Sequence, residues 1–258
     1  RRLLPRGAET VCEADLDTLQ SLVDKSLVRL REGKRFWMLE TIREYALERL
    51  EASAEAQELG SRHADYFLAL TEAAEPHVRE YSPAWLDRLG EELPNVRAAL
   101  DYLEGSNRYE ELLRLAAAIS PLWGIRSSMT EGRRRLEAAL AADDRPTPAR
   151  AKALTAAAGL ALGQGDDETV DELAGEALPL HRANGNDWFA VESLLLMAHA
   201  AADREDFERA RDLAKEAAEG TKSDPSSSQA IHATWQLGWA HVGLGERERG
   251  RELYQEAL

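Results

Sequence analysis

Six histidines, one cysteine and one glycine cluster are the residues of this 258-residue chain whose types could carry chemistry. The histidines stand at 63, 77, 181, 199, 232 and 241, and no pair has the HExxH or related spacing that sets imidazoles on one metal. Cys12 has no histidine near it in sequence to generate a thiolate nucleophile. The glycines of "GLALGQGDD" (159–167) lack the lysine of a GxxxxGK[ST] phosphate cradle. Carboxylates abound, but they alternate with arginine at helical spacing, as in "RERGRE" (247–252), which is the pattern of a solvated helix face. The chemistry on offer is binding: the chain is expected to be no enzyme and to hold no cofactor or metal.

Composition narrows the partners. Apolar residues make up 44% and charged residues 31%, enough of each for a globular core with a charged surface. The longest apolar run, "AVESLLLMAHAAA" (190–202), is interrupted by Glu192 and His199 and falls short of the roughly 20 residues of a membrane span. "RRLLPRGAE" has no apolar signal region, and a single cysteine suits a reducing cytoplasm. The net charge of −15 is unevenly placed. The first fifty residues hold ten Lys/Arg and nine Asp/Glu, while the remainder holds 22 and 38. Most of the chain should therefore repel a phosphate backbone, and only the front could approach DNA.

From about residue 56 apolar residues recur at helical spacing. This predicts helices over 62–75, 84–104, 109–123, 130–142, 149–163, 167–182, 188–203, 206–219, 229–243 and 246–258. Breakers at 143–148, 183–187 and 220–229 separate them, and Pro94 predicts a kink or break inside 84–104.

A repeat organises these helices. Leu173, Leu213 and Leu253 lie 40 apart, as do Glu176, Glu216 and Glu256, Ala177, Ala217 and Ala257, and Ala158, Ala198 and Gly238. A weaker earlier copy starts near "TEGRRRLEAAL" (130–140). Helix pairs of this size must stack on their neighbours to bury their apolar faces. Thr234, Leu237, Gly238 and His241, followed by Gly250, Tyr254 and Ala257, resemble the tetratricopeptide (TPR) pattern, though with 40 rather than 34 residues per repeat. The expected fold is all-α: a TPR-like right-handed superhelix preceded by a small module with a β-hairpin. The expected division is 1–55, 56–142 and 143–258.

In a TPR register the first helix of each pair lines the concave groove. That places Lys152 and Thr155, then Glu192, Leu195 and His199, then His232, Trp235 and Trp239, in a surface for a protein, peptide or small-molecule effector. Trp235 and Trp239 share a helix face and either anchor a partner or pack on the preceding repeat. Trp85, Trp123 and Trp188 are expected in the core. Leu253, Tyr254 and Leu258 would leave an apolar face on the last repeat, to be covered by further repeats or by self-association.

The front differs. Asp15 is a candidate cap for a helix carrying Leu16, Leu19, Leu22 and Val23 on one face. "LVRLRE" (27–32), a turn at Gly33–Lys34, and "RFWML" (35–39) read as a hairpin. Thr41 with Glu44 then reads as a capping box for a helix whose apolar face holds Ile42, Tyr45, Ala46, the stem of Arg49 and Leu50. Helix, two-stranded wing and helix is the tail of a winged-helix domain. Arg29, Arg31, Lys34 and Arg35 on the wing either touch phosphates or protect the sheet edge, and the glutamates among them favour protection.

The succession "LVDKSLV", "RFWMLETIREYALERL", "RHADYFLALTEAAEP" and "WLDRLGEELPNVRAALDY" resembles the C-terminal winged-helix and TPR-repeat region of bacterial ATP-dependent transcriptional regulators of the STAND class, in their LuxR-type and AfsR-like forms. The resemblance implies an N-terminal NTPase in the parent, a winged helix packed on it, and repeats that sense an effector. It implies that Met38, Leu39, Glu40 and Arg43 face the NTPase. Where the family's motif has a phosphate-approaching histidine this chain has Leu39, which donates no hydrogen bond, so packing rather than nucleotide sensing is expected there. A free-standing TPR scaffold and a DNA-binding winged-helix factor are the rival readings.

Overall fold

The structure, a computed structural model, describes residues 5–31, 35–80, 82–125 and 128–258. The turn expected at Gly33–Lys34 lies outside the described residues, as do the side chains of Arg31 and Lys34. The chain divides into two compact units, Arg1–Leu122 and Trp123–Leu258, with the boundary inside the segment read from sequence as 56–142.

The first unit opens with α1 (Pro5–Cys12) and α2 (Leu16–Asp24). Asp15 starts α2 by accepting a hydrogen bond from the Thr18 N–H at 2.7 Å. Hydrogen bonding from the Thr18 side chain, and then from its backbone N–H, holds the Asp15 carboxyl below its ordinary range. Strands β1 (Arg29–Arg31) and β2 (Arg35–Trp37) pair antiparallel, with Leu30 opposite Phe36. α3 (Glu40–Glu51) follows, but its cap corrects the sequence reading. Leu39, not Thr41, is the N-cap, and no side chain bonds the free N–H groups. No residue of α3 is buried, and Tyr45 on its expected apolar face stands exposed beneath Arg49.

Next come α4 (Ala56–Arg79), α5 (Pro83–Gly105) and α6 (Tyr109–Ile125). α5 runs unbroken through Pro94. Burial of Leu89, Val96, Ala99, Leu100 and Leu103 on both sides of the proline offsets the one hydrogen bond it cannot make. Arg114 grips Glu72 with two bonds of 2.7 and 2.8 Å, tying α6 to α4.

The second unit stacks α7 (Met129–Ala142), α8 (Pro148–Leu162), α9 (Asp167–Ala183), α10 (Asp187–Asp203), α11 (Phe207–Gly220), α12 (Ser228–Gly243) and α13 (Arg247–Glu256). Each helix packs on the next, and the first helices also meet one another, α8 with α10 and α10 with α12. The forty-residue period is visible in the backbone. Gly165, Glu205 and Gly245 all adopt positive φ (72°, 61° and 85°) in the turn before a second helix. Asp166 and Asp206 then cap α9 and α11. Ala158, Ala198, Ala177 and Ala217 are buried, which lets the helices approach closely. Gly132 does the same in α7: a Cβ there would collide with the fully buried Trp123 ring. Among the described residues no helix is long and apolar enough to cross a membrane.

Candidate functional site

The first helices of the repeats carry the candidate surface. A packed apolar core of Ala158, Leu194, Leu195, Met197, Ala217 and Ala233 lies behind them. In front, two repeat positions stay accessible in all three pairs: 152, 192 and 232, and 159, 199 and 239. These are Lys152, Glu192 and His232, then Gly159, His199 and Trp239.

Their contacts preset the strip. Lys152 Nζ sits 4.9 Å from the Phe189 ring centroid, a cation over an aromatic face. Glu192 accepts from Gln229 Nε2 at 3.0 Å, and the same amide group reaches the Trp188 carbonyl at 3.0 Å. The His199 ring meets Trp239 edge to face at 5.2 Å, with Asp203 Oδ2 at 3.6 Å from Nε2. His232 lies 3.0 Å from Gln236 Nε2. Loss of water on its inner side, and then the charge of His199, hold the His232 imidazole below its ordinary value. At neutral pH this strip offers one cation, one carboxylate, the neutral imidazole of His232, the His199 ring and an indole face, a set suited to reading a mixed polar and apolar ligand.

Two residues expected in the groove are not accessible. Thr155 and Leu195 occupy the same repeat position and are both buried, because the following first helix packs over it. Thr155 instead joins a buried polar cluster with His181 and Ser193. At that position in the last pair Trp235 is exposed, against Trp239 (5.7 Å) and Tyr254 (6.1 Å). Trp188, expected in the core, is exposed, because Phe189 turns inward and stacks on His181 instead. Trp123 is buried, and Trp85 packs beside Leu89 and Val78.

In the first unit Met38 and Arg43 line an apolar cavity of about 330 Å³ with Leu19, Val28, Phe36 and Leu50. Leu39 lies beside it as the N-cap of α3, and Glu40 pairs with Arg43 on the outer side. A second cluster has no signal in the residue pattern. Arg35, read as a wing cation, turns inward and pairs with Glu91 and with the buried Glu92 of α5. Asn95 Nδ2 donates to Glu92 at 2.7 Å. Burial pushes the Glu92 carboxyl up, against the pull of Asn95 and Arg35. Of the wing cations, only Arg29 is described in solvent, where it stacks over Trp37. Among the described residues no group of three or more potential ligands could hold a metal.

No protein-family model matches the chain. Proteins of Mycobacterium bovis and Mycobacterium tuberculosis named as HTH-type transcriptional regulators are 34% identical over 134 residues, which is 51% of this chain. The chain spans about 15% of the length of those relatives. A STAND protein with a tetratricopeptide repeat sensor from Pyrococcus horikoshii superposes on all of the chain with a TM-score of 0.51 at 14% identity, over 48% of its own length. TPR-like repeats of a kinesin light chain from Podosopora anserina cover 75% of the chain and 92% of their own length at a TM-score of 0.57 and 13% identity. The fold is TPR-like. At these identities the structural matches speak to fold alone.

Proposed function

We propose that this chain is the non-catalytic sensing region of a bacterial, cytoplasmic transcriptional regulator of the STAND class. The repeats receive a protein, peptide or small-molecule effector on the Lys152, Glu192, His199, His232 and Trp239 strip. The winged-helix-like front, through Met38, Leu39, Glu40 and Arg43, couples that event to an NTPase domain of the parent protein. The observation that carries this reading is the recurrence of the same two accessible positions on three stacked first helices, which makes one continuous strip. The mycobacterial relatives' name and the repeat sensor of the Pyrococcus protein support the regulatory context. The open apolar cavity beside Met38 and Arg43 supports a docking role for the front.

Engagement of Arg35 by Glu91 and Glu92 disfavours DNA contact through the wing. Coupling requires that effector and NTPase favour the same one of two states. The test is ATP hydrolysis by the full-length regulator with and without effector, in the parent form and in a Lys152→Glu, His199→Ala, Trp239→Ala form. Loss of the response with helicity and Tm retained supports the proposal; an unchanged response overturns it. The rival scaffold reading predicts partner capture by the strip with no change in hydrolysis.

A further inference from the structure

The strip is charged in one sense at its Trp239 end. α10 and α12 together carry three carboxylates, Asp187, Glu192 and Asp203, and no lysine or arginine. Asp203 closes α10 next to the strip. Among the described residues its carboxylate has one partner, the His199 ring, with Nε2 at 3.6 Å, too long for a hydrogen bond. Arg204 and Arg209, the arginines nearest in sequence, are both turned to Asp171 of α9. Other carboxylates of this unit are met by arginine from a neighbouring helix: Asp166 by Arg133, Glu176 by Arg150 and Glu216 by Arg182. Asp203 is left with its charge unanswered.

The Trp239 indole shares this corner. It packs against a small-residue cluster that includes Ala202, and it meets the His199 ring edge to face at 5.2 Å. The ring is therefore held in place before anything binds. Its accessibility belongs to the repeat position: Gly159 and His199 stay accessible too, although a further first helix packs beside each of their helices. Asp203 ends α10 and Trp239 lies about one turn before the end of α12, so the free carbonyls of two helices add negative potential. Lys152, the cation of the strip, stands on α8 over Phe189, about two turns away at the level of Glu192.

We propose that this corner binds a guanidinium group, stacked on the Trp239 indole and paired with the Asp203 carboxylate. A planar cation with five N–H donors suits an aromatic face and a carboxylate at once. An anion would meet carboxylates and no base on either helix. The inference rests on the strip being the effector surface and names the group it reads.

An NMR titration of the 15N-labelled 258-residue chain tests it, with the Trp239 indole N–H assigned through Trp239→Phe. The probes are agmatine, the peptide acetyl-Ala-Ala-Arg-Ala-Ala-amide, and the same peptide with neutral citrulline in place of arginine. Both guanidinium probes are expected to shift the Trp239 resonance with a millimolar Kd, and the citrulline peptide to leave it in place. Asp203→Asn should raise the Kd about threefold or more with helical circular dichroism unchanged. Tighter binding of the peptide identifies a protein side chain as the source of the group, and tighter binding of agmatine a small molecule. Equal shifts from the arginine and citrulline peptides, no shift from either guanidinium probe, or a Kd that Asp203→Asn leaves unchanged would each overturn the proposal. The effector reading would survive all three, since it falls only on the hydrolysis response of the full-length regulator.

Discussion

Thr155 Oγ1 lies 2.9 Å from His181 Nε2 and 3.1 Å from Ser193 Oγ, so one buried hydroxyl ties α8, α9 and α10 together. The cluster sits between repeats, where a polar group without partners would cost several kcal/mol. Burial first of all, only partly offset by a hydrogen bond to the Ala151 backbone, pushes the His181 imidazole down to about 4 from an ordinary 6.5.

The joint should therefore weaken in acid. His181 is neutral in the fold, while the unfolded chain takes up a proton at about 6.5, so stability is complete above that pH. It falls as pH drops from about 6.5 toward 4, by about 2 to 3 kcal/mol for this residue. Denaturant unfolding at pH 7 and pH 4.5 checks this. The drop should shrink in a His181→Gln chain, whose amide does not titrate.

Removing Arg35 should be costly, because it leaves Glu92 buried without its cation. Arg35→Ala is expected to lose about 3 to 5 kcal/mol of first-unit stability, and Glu92→Gln less. The Glu92 carboxyl already sits above its usual range. Burial makes Glu92 easier to protonate in the fold than in the unfolded chain, so the deficit of Arg35→Ala should narrow as pH falls. Hydrogen exchange at β1 and β2, measured at pH 7 and pH 5, reads both effects.

One repeat position should give two different answers. Leu195→Ala empties a core site and is expected to cost about 2 to 4 kcal/mol. Trp235→Ala, forty residues on, removes a larger but exposed side chain and should cost about 1 kcal/mol or less. Equal losses in paired thermal melts would contradict the burial difference between α10 and α12.

Gly132→Ala should destabilise despite the better helix propensity of alanine. The added methyl meets the buried Trp123 ring, and overpacking of this kind costs about 1 to 3 kcal/mol against a propensity gain of about 1. A lower Tm, together with a shift in tryptophan emission, is the expected readout.

The helices were legible because their signals are local. Apolar spacing placed α8 to α13 within a few residues of their observed bounds, and the forty-residue recurrence of alanine and leucine foretold the stacking. Asp15 was found as a cap because its partner, Thr18, lies three residues away. Thr41 was misjudged because a capping box states a preference, and the chain enters α3 two residues earlier, through Leu39.

The candidate surface was half legible. Lys152, Glu192, His199, His232 and Trp239 fall where the repeat register puts them. Thr155 and Leu195 share that register, yet they are buried, since the register gives a direction around one helix and not which neighbour lies across it. Arg35 looked like an exposed wing cation, and its partners stand 56 and 57 residues away, beyond any periodicity.

The sequence by itself determined that the chain is helical, repeated every forty residues and acidic, because propensity, spacing and charge are properties of neighbours along the chain. Only the tertiary structure decided that Arg35 serves as a buried ion-pair partner, that His181 is held neutral between repeats, and that Trp235 rather than Leu195 meets solvent. Each of these depends on which side chains desolvate one another across helices, and desolvation is set by contacts between residues far apart in sequence.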